Sequence, residues 1–336
     1  PDGATSRYAV AAPGRSCPRS DGVEATAPRA RNRCRAPACP LLAVRLRRQV
    51  PVYSPITAPA LRRVVSQALR STDEAETRLT ARLAREYDAD AVRLFGSGTQ
   101  ALQVALGVAL RRVGESPVAL PSFTCFDVGA AAVAVGARIV LYDINPATLE
   151  PDLDSLAYCL EGGARAVVVT PLYGCPVNWQ AIEELVGGFG ALAIEDAAQG
   201  CGARWRTRLV GSLGPISVLS FGRGKGWTGG AGGALLLRGN GSWQGLEPRS
   251  REATRASEEL RTLFLLTAQW VFGRAPVYAL PAGMSWLGLG ETVYRDAPPP
   301  RPITRCAATC LEALSAAAAQ EAEARRTNAA AMLAAL

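Results

Sequence analysis

A single lysine stands out among the reactive side chains of this 336-residue chain, since every other basic residue is an arginine. Lys225 follows an apolar run and precedes the glycine-rich segment 226–233. Arginine keeps its proton at any working pH, whereas a lysine with a lowered pKa can lose its proton and form an imine with an aldehyde. A solvated loop residue is the alternative, but the use of arginine everywhere else favours a chemical role for Lys225.

The absence of histidine excludes several kinds of catalytic site. Without an imidazole the chain cannot build a Ser-His-Asp or Cys-His arrangement, and it has no histidine metal ligand. We predict no metal site. The segment around Lys225 is not a P-loop either, because Gly226 stands where that motif needs serine or threonine.

The segment 96–101, with the sequence GSGTQA, joins an apolar run to a helical pattern. Its glycines allow close backbone approach, and the amides and hydroxyls at a helix N-terminus suit a phosphate. The letters also fit a dinucleotide-binding fingerprint, but Glu115, the acid at the required spacing, precedes the next strand instead of ending it. A tight turn without a ligand is about equally compatible, so the phosphate hypothesis needs support from elsewhere.

Asp196 ends another apolar run. A carboxylate at the carboxyl end of a parallel strand faces the crevice in which such sheets bind ligands, although a helix cap is an equal alternative. A phosphate cradle, a carboxylate at a strand end and a lysine able to form an imine are together what a pyridoxal phosphate site needs. The phosphate anchors the cofactor, the carboxylate keeps the pyridine nitrogen protonated, and the lysine holds the aldehyde.

The elements that would position these residues alternate between strands and helices. Uninterrupted apolar runs predict strands at 91–95, 118–120, 138–143, 166–170, 192–195, 216–221 and 233–237. Helical patterns cover 74–87, 99–112, 126–135, 153–160, 178–186, 252–272 and 307–336. This alternation predicts an α/β fold whose mostly parallel sheet is covered by helices on both faces.

Charge and composition exclude other classes of function. Residues 1–48 hold ten arginines against three acids, whereas residues 49–336 hold 27 basic and 26 acidic residues. The folded part is therefore almost neutral, which argues against a nucleic-acid partner. No apolar run reaches the roughly 20 residues of a spanning helix, so we predict no integral membrane segment. The nine cysteines lack C-x-x-C pairs, which indicates free thiols in a reducing, cytoplasmic location.

Taken in order, these segments resemble the DegT/DnrJ/EryC1/StrS family of pyridoxal-phosphate-dependent sugar aminotransferases, which belong to the fold-type I class. The resemblance extends from residue 50 to residue 237. It rests on Ser97-Gly98-Thr99-Gln100-Ala101-Leu102, Leu120-Pro121-Ser122-Phe123-Thr124, Gly136-Ala137 before Tyr142-Asp143-Ile144, Leu172-Tyr173-Gly174, Glu195-Asp196-Ala197-Ala198-Gln199, Val210-Gly211-Ser212 and Ser220-Phe221 before Lys225.

The resemblance implies a role for each matching position. Lys225 would be the catalytic residue, forming the Schiff base and moving protons. Asp196 would pair with the pyridine nitrogen and Gln199 would contact the phenolic oxygen of pyridoxal phosphate. The family often has an aromatic residue where this chain has Cys125, so either Phe123 or Phe126 would stack on the ring or the stacking would be weak. The implied cofactor contacts are Ser97, Gly98, Thr99, Phe123, Cys125, Asp196, Gln199, Ser220 and Lys225.

The implied architecture is a fold-type I transferase with a seven-stranded sheet and active sites at a homodimer interface. We predict three regions: a disordered or non-native segment (1–48), a large pyridoxal-phosphate-binding domain (49–237), and the helical start of a small C-terminal domain (238–336). Family members usually continue further, so we expect that last domain to be truncated and incomplete.

The implied function is transfer of an amino group from an amino acid to a nucleotide-linked keto-sugar, and we expect glutamate to be the donor. The implied pathway is the biosynthesis of a surface polysaccharide or a secondary-metabolite sugar. The family's dehydratase branch has histidine in place of the lysine, so Lys225 favours the aminotransferases. The first alternative is a truncated, non-catalytic relative that binds the cofactor without turnover. A weaker one is an NAD-linked oxidoreductase that uses residues 96–101.

Overall fold

The structure is a computed structural model that describes residues 53–68, 74–239, 243, 256–282, 284 and 294–335. The segment 1–48, for which the composition predicts disorder or a non-native origin, lies outside the described residues.

Helices and strands alternate through the centre of the chain. The helices are α1 (Ala58–Ala68), α2 (Glu74–Glu86), α3 (Gly98–Val113), α4 (Phe126–Ala134), α5 (Leu153–Glu161), α6 (Trp179–Gly188), α7 (Ala256–Phe272), α8 (Ala275–Ala282) and α9 (Arg305–Ala334). The strands are β1 (Ala91–Phe95), β2 (Val118–Pro121), β3 (Ile139–Tyr142), β4 (Ala166–Val169), β5 (Leu192–Asp196), β6 (Arg204–Trp205), β7 (Arg208–Leu209), β8 (Ile216–Ser220) and β9 (Gly233–Leu237). Each predicted strand and helix is present with its ends shifted by a few residues, apart from positions 252–255 and 336, which lie outside the described part.

One mostly parallel sheet contains all seven predicted strands, in the order β1-β9-β8-β5-β4-β2-β3. The neighbours from β8 to β3 run parallel, and β9 runs antiparallel to both β1 and β8. Strands buried on both faces lose the alternation of polar and apolar residues, as in β4, whose sequence AVVV is buried throughout. The predicted fold class is therefore confirmed.

Two layers of helices cover the sheet. Helices α3 and α4 pack on one face, where Ala101, Ala105 and Leu106 of α3 are fully buried. The opposite face packs against α1, α2, α5, α6 and α9. Because each buried leucine or valine contributes about 1.5–3 kcal/mol relative to its exposed state, these two interfaces supply most of the driving force for folding.

The C-terminal helix shares the core of the sheet. The first turns of α9 bury Cys306, Leu311 and Leu314 in the same apolar cluster as the residues of α1 and α2. Among the described helices, none is by itself long and apolar enough to span a membrane; α7 and α8 meet that criterion only as a pair, bent by 114°.

Candidate active site

The carboxyl ends of the central strands and the N-terminus of α3 meet at one edge of the sheet. Phe95 at the end of β1 pairs with Gly233, which pairs with Ser220 at the end of β8. The parallel neighbour of β8 is β5, whose last residue is Asp196. Open α/β sheets bind ligands at this edge, so the register brings the three loops singled out by the sequence together.

The start of α3 forms a cradle for an anion. Ser97 caps the helix by accepting a hydrogen bond from the amide of Gln100 (3.2 Å). A Cβ atom on Gly98 would lie 2.7 Å from Cβ and 2.8 Å from Oγ of Ser220, so this approach is open only to glycine. The first amides of α3 lack partners within the helix, and together with the hydroxyls of Thr99 and Ser220 they suit a phosphate.

Asp196 is a buried carboxylate with little internal support. Its side chain is 6% exposed, and its Oδ1 atom accepts one hydrogen bond, from the amide of Ala198 (3.2 Å). Burial raises the pKa of Asp196 above its usual value, while the nearby charge of Lys225 opposes that rise. A buried carboxylate is costly unless a cation faces it, which a protonated ring nitrogen would supply.

The loop that carries Lys225 is held by a buried threonine. The amide of Lys225 donates to the carbonyl of Gly222 (3.2 Å). The Thr228 hydroxyl lies 3.0 and 3.1 Å from the carbonyl oxygens of Phe221 and Gly222, and it accepts from the amide of Gly230 (3.1 Å). These contacts fix the backbone on both sides of Lys225, whose side chain is part-buried.

The loop after β2 supplies the wall where a ring would stack. The thiol of Cys125 lies 3.6 Å from Oδ2 of Asp127, and burial raises the pKa of that thiol. The ring of Phe126 packs against Tyr294 at 6.3 Å between centroids, whereas Phe123 is 58% exposed. Of the two aromatic candidates, Phe123 is therefore the one left available to a ligand.

Three polar groups at this edge were missed by the sequence analysis. The hydroxyl oxygens of Thr124 and Thr170 are buried without a hydrogen-bond partner, each just past the end of a strand. Asp127, in the first turn of α4, lies close enough to Asp196 to raise its pKa. Nothing in a single sequence marks an orphaned hydroxyl, but a carboxylate three residues after Thr124 was a visible signal.

Gln199 lies beside a strained turn. Its Oε1 atom accepts a hydrogen bond from the amide of Tyr173 (2.6 Å), which has a left-handed backbone (φ 56°). A Cβ atom on Gly174 would lie 2.9 Å from the carbonyl oxygen of Gln199. The Nε2 atom of Gln199 is then the donor that would face a ligand oxygen. The contact of Gln199 with the cofactor stays a prediction.

The residues present fit pyridoxal phosphate. The close approach of Gly98 and Ser220 leaves a cradle that a side chain at position 98 would fill. The buried Asp196 carboxylate would be stabilised by a cation. The unpartnered hydroxyls of Thr124 and Thr170 offer further polar contacts. Lys225 provides the amine on the loop that follows β8.

Comparisons with known proteins agree with this site. Residues 57–246 match the model of the DegT/DnrJ/EryC1/StrS aminotransferase family. The chain is 32% identical over 144 residues to 3-amino-5-hydroxybenzoate synthase of Amycolatopsis mediterranei (strain S699), a match that covers 42% of this chain and 36% of that protein. It is 31% identical over 172 residues to L-glutamine:2-deoxy-scyllo-inosose aminotransferase of Streptomyces kanamyceticus, covering 51% and 40%. The chain thus spans less than half the length of these two curated relatives.

The fold agrees with solved structures. The pyridoxal-phosphate form of a sugar aminotransferase from Streptococcus pneumoniae superposes with a TM-score of 0.55 at 20% identity, covering 79% of this chain and 65% of that one. Sheet, site and superposition define the fold-type I class of pyridoxal-phosphate-dependent transferases. Within that class, because the family match covers more than half of its residues, the chain belongs to the DegT/DnrJ/EryC1/StrS aminotransferase family, whose cofactor is pyridoxal phosphate.

Proposed function

We propose that this chain is an aminotransferase that moves an amino group from an amino acid to the keto group of a nucleotide-linked sugar. The observation that carries the proposal is the register that brings Lys225, Asp196 and the anion cradle at Gly98 to one sheet edge. The family match and the two named relatives support the same class of reaction.

The chain's own residues divide the work. Bound pyridoxal phosphate supplies an aldehyde for amine exchange and a ring that accepts electrons. The amides of Gly98 and Thr99 with the Ser220 hydroxyl hold the phosphate group. The buried carboxylate of Asp196 would keep the ring nitrogen protonated, and the Nζ atom of Lys225 would take the proton from Cα of the donor amino acid.

The amino donor and the acceptor are the finer parts of this proposal. Glutamate is the donor that the family resemblance implies, whereas the name of one relative gives L-glutamine. Both donors belong in the test. The proposed pathway is the biosynthesis of a surface polysaccharide or a secondary-metabolite sugar. Candidate keto-sugars are tested as acceptors once the half-reaction with the amino donor has been shown.

A covalent adduct on Lys225 is the first expected outcome. The chain is incubated with pyridoxal phosphate, its visible absorption is recorded, and borohydride reduction is followed by mass spectrometry of peptides. Because Lys225 is the chain's only lysine, no other side-chain amine can carry the label. The matched variant Lys225→Arg keeps the positive charge but cannot form an imine, so it should lose both the absorption band and the adduct. A wild-type chain without the band would contradict the proposal.

The second candidate is a non-catalytic relative that binds the cofactor, favoured by the partial coverage of the curated relatives. Glutamate or glutamine added to the loaded chain separates the two. Loss of the band to the amine form of the cofactor supports the aminotransferase, and an unchanged band supports the non-catalytic relative. The NAD-linked oxidoreductase is not favoured by the family match, and NAD binding that persists in Lys225→Arg would revive it.

We also propose a homodimer and a cytoplasmic location. The dimer follows from the family resemblance, and light scattering of the purified chain tests it. The cysteines of the described residues, Cys125, Cys159, Cys175, Cys201, Cys306 and Cys310, are all free thiols, in keeping with a reducing compartment.

A further inference from the structure

A second concave site is lined by residues other than those assigned to the cofactor. A cavity of about 350 Å³ opens between α2, α9 and the segment 201–209 that contains the β6–β7 hairpin. None of the residues assigned to the cofactor lines it. Its volume is in the range of pockets that hold small organic molecules.

Positive charge dominates the lining. The guanidinium groups of Arg82, Arg204 and Arg326 line the cavity, together with one carboxylate, Glu86. Glu86 pairs with Arg82 (2.7 Å) and the exposed Glu323 pairs with Arg326 (2.7 Å). In the described part of the chain Arg204 forms no ion pair, so the cavity carries an uncompensated positive charge.

Most of the remaining lining is apolar. Tyr87, which is only 4% exposed, also lines the cavity. The indole of Trp227 and the side chain of Leu209 form one wall. The opposite wall is a strip of small side chains on α9, formed by Ala318, Ala319 and Ala322.

This cavity adjoins the back of the lysine loop. Trp227, which follows Lys225 by two residues, lines the cavity. A Cβ atom on Gly226 would lie 3.3 Å from Cβ of Cys201 and 3.3 Å from Nη1 of Arg325. An occupant would therefore contact the same segment that carries Lys225.

We propose that this cavity binds a small organic anion that has a carboxylate or phosphate head and a short apolar body. The guanidinium groups match the two oxygens of such a head, and the alanine strip and Trp227 accept the body. This inference does not rest on the proposed function, because none of its residues belongs to the cofactor edge.

Protection of Cys201 from alkylation tests the site. Cys201 lines the cavity, whereas Cys175 is exposed elsewhere and serves as the internal reference. The cofactor-free chain is treated with iodoacetamide and the label at each thiol is followed by mass spectrometry. Burial raises the pKa of Cys201 and so lowers its thiolate fraction, and labelling is therefore run in alkaline buffer and followed over a long incubation. Hexanoate, hexanamide and inorganic phosphate are the probes.

We expect hexanoate to slow labelling of Cys201 alone, neutral hexanamide to have no effect, and phosphate to protect only at higher concentration because it lacks the apolar body. Equal protection by hexanoate and hexanamide would overturn the anion site. Protection by phosphate at a concentration equal to or lower than that of hexanoate would overturn the proposed contact with an apolar body. No protection by any probe would overturn the proposal as a whole.

Two arginines of one hairpin provide matched variants. Arg204→Gln should raise the hexanoate concentration for half-protection about tenfold, which is about 1.4 kcal/mol. Arg206→Gln should leave it unchanged, because Arg206 stacks on Trp205 at 4.4 Å outside the cavity lining. If Arg204→Gln proves to unfold, Arg326→Gln tests the same prediction from α9. Equal effects of the variants at 204 and 206 would contradict it.

Discussion

Two adjacent carboxylates of β5 have opposite surroundings. Successive side chains of a strand point to opposite faces, so Glu195 and Asp196 face different parts of the molecule. Glu195 is fully buried and accepts hydrogen bonds from three amides in the segment 211–214 (2.6, 2.9 and 3.2 Å) and from the Ser217 hydroxyl (2.8 Å). Asp196 has one such donor. Glu195 therefore stabilises the fold, and Asp196 is kept at a cost for a ligand.

Asp196→Asn should stabilise the cofactor-free chain at neutral pH while abolishing cofactor binding. The folded-state pKa of Asp196 is raised, so its ionised form is disfavoured on folding; the neutral amide removes that cost and still accepts from Ala198. We expect a gain of about 1 kcal/mol in unfolding free energy at pH 7. The gain should shrink as the pH falls toward the unfolded pKa, because wild-type Asp196 then folds protonated. Urea unfolding of both chains at pH 7 and at a pH near the unfolded pKa of Asp196 measures this gain.

Glu195→Gln is the control with the opposite sign. The amide nitrogen of the new glutamine would face backbone N–H groups that now donate to a carboxylate oxygen. We therefore expect the unfolding free energy to fall by at least about 2 kcal/mol. Equal effects of the two substitutions in urea unfolding would contradict the division of roles between Glu195 and Asp196.

Among single residues, the sequence predicted those whose side-chain chemistry is unusual. It missed those whose importance depends on their contacts in the folded chain. Lys225 and Asp196 could be proposed because of their type and their position after apolar runs. The orphaned hydroxyls of Thr124 and Thr170 could not, because burial without a partner is a property of the assembled sheet edge.

The junction of α3 and β8 is the element on which the anion cradle depends. Gly98→Ala would place a Cβ atom 2.7 Å from Cβ of Ser220, both parts of rigid elements, so the helix start must move away from the strand. We expect loss of cofactor binding, measured by the visible titration. Gly107→Ala in the same helix meets only the end of the flexible Arg111 side chain at 3.5 Å and should instead raise the unfolding free energy by about 1 kcal/mol. Normal cofactor affinity in Gly98→Ala would refute the cradle.

Elements with a strong local pattern were predicted, and those that depend on distant contacts were not. The buried strands are recognisable because both faces are apolar. Helix α1 buries only Ala60 and Val64 among its described side chains, against a helix more than 200 residues later in sequence, and α8 contains Pro281 in its last turn. The hairpin β6–β7 has two residues in each strand, too short for any period.

The position of α9 decides how the molecule unfolds as a whole. The boundary predicted after residue 237 treats the C-terminal region as a separate unit. In the structure the first turns of α9 pack into the apolar cluster beneath the sheet, and the indole of Trp227 donates to the carbonyl of Leu311 (2.9 Å). We infer that at least the first half of α9 folds together with the sheet.

Leu311→Ala tests this inference. Leu311 is fully buried, so its truncation should lower the unfolding free energy of the entire described core by about 3 kcal/mol. Leu333→Ala on the same helix, at a side chain 71% exposed, should change it by less than about 0.5 kcal/mol. Urea unfolding is followed by tryptophan fluorescence and by far-ultraviolet circular dichroism. If α9 belongs to the same cooperative unit, both signals shift together in Leu311→Ala, whereas an independent C-terminal unit would give a second transition and leave the sheet's own midpoint unmoved.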